Sequence, residues 1–171
     1  AAGIGRIPED RHAVGCVLGM SVAENMFLDR LHHFTRFGLL DRKRLHQEAE
    51  ALMARFDVRA AGPHATFSSL SGGNQQKVVL ARELTLSNLS FLLAAHPTRG
   101  LDVGAVEAVY QHIQSVCARG VGVLLISSEL DELLQVANRV VVMYRGRVMG
   151  TCRADANERE RIGAWMAGHN A

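Results

Sequence analysis

Leu70-Ser71-Gly72-Gly73-Asn74-Gln75-Gln76-Lys77 places a serine and two glycines directly ahead of a segment predicted to be helical over 74–85. Such a start points a hydroxyl and several unpaired N–H groups at one spot, and the helix dipole adds about half a unit of positive charge. That is chemistry for a phosphate oxygen. The bland alternative is a plain serine cap on a surface helix. The stretch does not wrap a nucleotide's phosphates by itself. That task needs Gly-Lys followed by Ser or Thr, and the only lysines, Lys43 and Lys77, both lack a preceding glycine. Further on, the apolar run Phe91-Leu92-Leu93-Ala94-Ala95 leads into His96-Pro97-Thr98-Arg99-Gly100-Leu101-Asp102. No His/Cys/Asp cluster has metal-ligand spacing, and Gly-x-Ser-x-Gly is absent.

The elements that must hold these residues fall into two parts. Ser21-Val22-Ala23-Glu24 is a capping box, which predicts a helix running to about Leu31. Leu45, Ala49, Leu52, Met53 and Phe56 make one helical face behind Asp41 as cap. Residues 60–69 read as a loop leading into the serine-glycine stretch. His32-His33 and the arginine-rich stretch 36–44 read as solvated surface. The later part alternates. Residues 90–95 and 121–126 suit buried strands, and Val106, Val109, Ile113 and Val116 mark a helix between them, closed by Gly120. That is a βαβ unit with a parallel sheet. Leu130, Leu133, Leu134 and Ala137 predict another helix, 140–144 and 147–151 a hairpin turning at Arg145-Gly146, and Ile162, Trp165 and Met166 a closing helix. The fold class is α/β, divided as a helical part over 1–85 and an α/β part over 86–171.

Bulk composition excludes several classes. A hydrophobic content of 48% with 21% charge is that of a folded chain, not a disordered one. A net charge of +2 gives no reason to invoke nucleic acid as partner. Cys16, Cys117 and Cys152 show no CxxC spacing, which fits a reducing compartment better than a disulfide framework. No apolar run approaches the roughly 18–20 residues that span a bilayer. The start, Ala1-Ala2-Gly3-Ile4-Gly5-Arg6, has neither Met nor a signal pattern, so a piece of a longer polypeptide is expected.

The two motif runs, in this order, resemble the signature, Walker B and D-loop succession of ATP-binding cassette (ABC) ATPases. Ile7-Pro8-Glu9-Asp10-Arg11, Met20-Ser21-Val22-Ala23-Glu24-Asn25, Asn74-Gln75-Gln76-Lys77 and Pro97-Thr98-Arg99-Gly100-Leu101-Asp102-Val103-Gly104-Ala105 look like the second cassette of tandem importer ATPases for monosaccharides or nucleosides. Phe34-Thr35-Arg36 with Gly38-Leu39-Leu40-Asp41 and Phe56-Asp57-Val58-Arg59 look more like the nucleoside branch. The resemblance implies a P-loop NTPase-like cassette lacking its N-terminal Walker A part, with an α-helical signature subdomain. It also implies that Ser71, Gly72, Gly73, Asn74 and Gln75 face the γ-phosphate of ATP held by a partner cassette.

Departures from the family pattern concern hydrolysis. Where the family has Asp-Glu, acting on Mg²⁺ and on the attacking water, this chain has Ala95 and His96. Alanine cannot hold a hydrated cation. Histidine can accept a proton but brings no carboxylate charge, so His96 reads as a residue without catalytic duty. The switch histidine matches Ser128, which reads as a helix cap with Asp131 three residues on. The Q-loop glutamine matches Glu9. Asp102, in the D-loop, reaches across a dimer, caps the helix beginning near Val103, or does both. The implied protein is a degenerate cassette, inactive alone, that completes an ATP site. ATP and Mg²⁺ would be bound mainly by the first cassette of the same polypeptide. The other implied partners are transmembrane permease subunits and, indirectly, a solute-binding protein, at the cytoplasmic face of the membrane and without nucleic acid. Two rivals stand beside it: a hydrolysis-competent ABC ATPase truncated at its N-terminus, and a soluble ABC-fold ATPase outside transport.

Overall fold

The computed structural model describes residues 3–169. Contacts divide the chain into two compact units, one ending at Ile126 and one beginning at Ser127. The first opens with strand β1 (Ile4–Ile7) and a one-turn helix α1 (Arg11–Val14). Asp10 caps that turn, its Oδ1 accepting from the N–H groups of His12 and Ala13, each at 3.0 Å. Helix α2 (Val22–Met26) has the expected capping box. The Ser21 N–H donates to Glu24 Oε2 at 2.8 Å, and the Glu24 N–H donates to Ser21 Oγ at 3.2 Å. These bonds hold the Glu24 carboxyl below its usual range. The helix ends at Met26, short of the expected Leu31. Phe27 leaves helical geometry and packs on Phe34 at 4.7 Å, while Arg30 donates to the Thr85 carbonyl at 3.0 Å.

Between α2 and the next helix the chain makes a 3-10 turn (Leu31–Phe34) and a small hairpin, β2 (Thr35–Arg36) with β3 (Leu39–Leu40). The sequence reading had only surface here. Helix α3 (Arg42–Arg55) is capped by Asp41, whose Oδ1 accepts from the Arg44 N–H at 3.0 Å, and it buries Leu45 and Ala49 as its periodicity requires. After a loop containing one 3-10 turn (Phe67–Ser69), helix α4 (Gly72–Leu84) begins directly behind Ser71. From Gln75 onward its side chains are buried almost all round, which makes it the spine of the unit, packed on α2, α5 and β1.

Strand β4 (Phe91–Ala95), helix α5 (Val103–Ala118) and strand β5 (Gly122–Ile126) form the expected parallel βαβ unit. β1 adds in parallel to the other edge of β4, giving the order β1-β4-β5. The sheet therefore draws strands from both sides of residue 85. A parallel sheet is ordinarily covered on both faces. Here Ile7, Leu92 and Ala94 are buried, whereas Ile4 (59% exposed), Leu124 (52%) and Ile126 (47%) leave the other face open. The expectation of fully buried strands holds for one face only.

The second unit contains helix α6 (Leu130–Val136), the hairpin β6 (Arg139–Tyr144) and β7 (Arg147–Arg153), and helix α7 (Arg159–Met166). The hairpin turns at Arg145 and Gly146, both with positive φ, as its sequence requires. Ile162 and Trp165 pack on Val140, Val142 and Cys152. Gly150 permits this, because a Cβ there would lie 2.4 Å from the Trp165 ring. Ser128 does not cap α6. The helix begins at Leu130, so the cap position falls to Glu129, which makes no side-chain cap bond. Ser127 Oγ accepts the Glu129 N–H at 3.0 Å instead. Ser128 stands one residue too early.

Candidate functional site

Ser71 and Gly72 are exposed at the first turn of α4. Ser71 Oγ accepts from the Asn74 N–H at 3.4 Å and from Asn74 Nδ2 at 2.9 Å. Asn74 Oδ1 in turn accepts the Arg59 N–H at 2.8 Å, which pins the loop after α3 to this turn. The Gln75 N–H donates to the Ser71 carbonyl at 2.9 Å. The N–H groups of Gly72 and Gly73 meet no acceptor among the described residues. Neither glycine has a positive φ, so backbone conformation does not demand them. Each costs a helix about 1 kcal/mol relative to alanine. A Cβ at Gly72 would lie 2.8 Å from Arg11 Nη2, so that glycine makes room for the guanidinium, and the two glycines together leave two unpaired donors at a positive helix end.

Gln75 and Gln76 do something different. Gln75 is 5% exposed; its Nε2 donates to the carbonyls of Phe67 and Leu70 at 3.3 and 3.2 Å, and its Oε1 pairs with His12 Nε2 at 2.7 Å. Gln76 Nε2 donates to the Pro97 carbonyl at 2.9 Å, and its Oε1 faces Arg11 Nη1 at 3.4 Å. These amides fasten the helix start to α1 and to the loop behind β4. Lys77 is equally committed, donating from Nζ to the backbone oxygen and Oδ2 of Asp57, both at 2.8 Å. That lysine holds the Asp57 carboxyl below its usual range. Arg11 and His12 are therefore positioning residues that the sequence reading left without a role. The sequence signal was Asp10, a helix-cap residue directly ahead of both.

Beside Ser71 lies a cavity of about 490 Å³, walled by Phe56, Asn74, Leu101, Asp102 and His112 among others. His112 stacks on Phe56 with ring centres 4.3 Å apart. Burial, reinforced by Arg55, lowers the pKa of His112. Asp102 caps α5, its Oδ1 accepting the Ala105 N–H at 3.0 Å, while its side chain remains at the surface.

At the end of β4 the geometry is of another kind. Ala95 is half-buried and offers no ligand atom. His96 has φ of 47°, an uncommon conformation for a non-glycine residue, and its N–H donates to the Ile126 carbonyl at 2.8 Å. Glu9 at the end of β1 accepts from Arg99 Nη1 at 2.6 Å, so its carboxylate is paired within the chain. Among the described residues no three His, Cys, Asp or Glu side chains gather to hold a metal ion. The residues present fit a phosphate at the start of α4. They do not supply a magnesium site at the end of β4.

No protein-family profile matches the chain. Curated relatives match nearly all of it. The nucleoside import ATP-binding protein NupA of Lactococcus lactis is 42% identical over 98% of this chain and 33% of the relative. The ribose import ATP-binding protein RbsA 2 of Streptomyces coelicolor is 46% identical over 95% of this chain and 31% of the relative. The guanosine import ATP-binding protein NupO of Bacillus subtilis is 37% identical over 98% and 33%. The chain thus spans about a third of the length of the curated relatives it matches. Among solved structures, the dimeric ATP-binding cassette MJ0796 bound to ADP and Pi superposes with a TM-score of 0.72 at 21% identity, over 90% of this chain and 63% of that one. The cassette MJ1267 in its ADP conformation gives a TM-score of 0.65 at 19% identity, over 96% and 65%. The structural likenesses show that the chain has the fold of ATP-binding cassettes, and over nearly its whole length it is similar to part of sugar and nucleoside import ATP-binding proteins.

Proposed function

We propose that this chain is part of the second, hydrolysis-defective cassette of a tandem importer ATPase, and that it completes an ATP site held mainly by the partner cassette. The observation that carries this reading is the pair of unsatisfied N–H groups at Gly72, exposed, and Gly73, half-buried, behind Ser71. ATP bound to the first cassette supplies the phosphate that these donors meet, with its Mg²⁺ ligated there. Ser71, Gly72, Gly73 and Asn74 bind and orient the γ-phosphate end. Gln75, turned inward, holds that turn in place. Asp102, exposed and already ordered as a cap, is placed to reach the partner. Glu9, Ala95, His96 and Ser128 take no part in moving a proton or holding a cation.

The open face of the sheet supports the same reading. An apolar face of this kind suits the remainder of a cassette, and the solved cassettes are about half as long again as the portion matched here. The boundary between residues 85 and 86 is kept as a functional division, with permease contacts on the earlier side and nucleotide-core positions on the later. In this account the assembly lies peripherally on the cytoplasmic face, bound to permease subunits, with a solute-binding protein delivering a nucleoside or monosaccharide. Among the described residues no helix is long and apolar enough to cross a membrane. Calorimetry of the chain with MgATP tests the division of labour. No binding is expected at submillimolar nucleotide, because the loop that wraps phosphates is absent. Tight, magnesium-dependent binding would overturn it.

A further inference from the structure

The hairpin of β2 and β3 is not used by the nucleotide chemistry. It turns through Phe37 and Gly38, with φ of 51° and 79°. A positive φ is unfavourable for a bulky residue, yet here it holds Phe37 out at 93% exposure, beside Leu39 at 76%. The Arg36 guanidinium lies over the Phe37 ring at 5.5 Å. Arg36, Arg42 and Lys43 are exposed and enter no ion pair among the described residues, whereas neighbouring Arg44 is paired with Glu48 at 3.0 Å. The one acidic side chain of this stretch, Asp41, is occupied as the cap of α3. The result is a convex apolar tip with a collar of unpaired cations.

We infer that this hairpin touches an anionic membrane surface, with Phe37 and Leu39 entering the headgroup layer and Arg36, Arg42 and Lys43 meeting lipid phosphates. A protruding tip offers no groove to a folded partner, which would need a matching socket. A headgroup layer deforms around such a tip while its phosphates neutralise the collar. Aromatic rings at this depth and cations just above them are the usual division of an interfacial anchor. The contact is independent of the phosphate site at α4.

The test is flotation of the full chain with vesicles of phosphatidylcholine alone or mixed with phosphatidylglycerol. The chain is expected to float with the anionic vesicles only, and less so as salt rises. Each cation near such a surface contributes about fivefold to partitioning, so Arg36→Glu with Lys43→Glu should lower it by at least about twentyfold. Phe37→Ser with Leu39→Ser should lower it by at least about tenfold while leaving the salt dependence in place. All four positions are exposed, so circular dichroism should show an unchanged fold. The inference is overturned if the unaltered chain ignores anionic vesicles, or if both double variants float as it does. It is equally overturned if flotation requires permease subunits in the vesicles and is indifferent to lipid charge, which would identify an acidic protein surface as the partner.

Discussion

The start of α4 and the end of β4 are joined by a hydrogen bond from Gln76 Nε2 to the Pro97 carbonyl, yet in the proposed function they offer opposite things to a nucleotide. At the helix start the chemistry is carried by backbone donors, which any helix provides once a serine cap and two glycines leave them open. At the strand end it would have to be carried by side-chain carboxylates, and Ala95 and His96 have none. A backbone-based site survives as long as the fold does. A side-chain-based site is removed by two substitutions that leave the strand intact. The fold can therefore be complete in this region while its chemistry is one-sided.

The contrast breaks first at the helix. Ser71→Arg or Gly72→Asp should reduce hydrolysis in the assembled importer by about a hundredfold or more, since either puts bulk or like charge where a phosphate must approach. Filter binding of ATP should be unchanged, because the wrapping loop lies elsewhere. Undiminished turnover would show that this helix start does not meet the nucleotide.

The link between the two ends is the next place to press. Gln76→Ala leaves the Pro97 carbonyl without its donor, in a spot where Gln76 is 2% exposed, at a cost of about 1–3 kcal/mol. Urea denaturation would read the loss directly, and an unmoved midpoint would mean that this bond does not hold the two ends together.

A smaller effect should appear with pH. Burial keeps His112 neutral in the fold, below its ordinary 6.5. The unfolded chain takes up this proton first, so stability is full above that value and falls as pH drops through the lowered one. Thermal midpoints at pH 7.5 and 5.5 should differ, and His112→Gln, which has no proton to gain, should narrow the difference. Equal narrowing by a substitution far from the cavity would show that the titration lies elsewhere.

Much of this contrast is legible in the sequence. The helix behind the serine-glycine run, the Ser21–Glu24 box, the βαβ unit and the Arg145-Gly146 turn are local signals, each fixed by residues within a few positions of one another. Part of what the sequence did not show was long-range. β1 joins β4 through backbone bonds that leave no periodic mark in four residues. The inward turn of Gln75 depends on His12, 63 positions away. The β2–β3 hairpin was missed because its tip is apolar and carries Phe37, a poor turn residue, where a hairpin signal expects asparagine or aspartate. Ser128 misled for the opposite reason: its type suits a cap, but the helix starts one residue later than its pattern implies.

The central claim, that the helix start serves the nucleotide and the strand end does not, meets its most direct test in His96→Ala. Steady-state ATP hydrolysis by the complete importer carrying this variant, with its fold checked by circular dichroism, should stay within about threefold of the unaltered protein. Loss of a working general base ordinarily costs roughly 10²–10⁴-fold. A hundredfold fall with the fold intact would contradict the account and make His96 a catalyst.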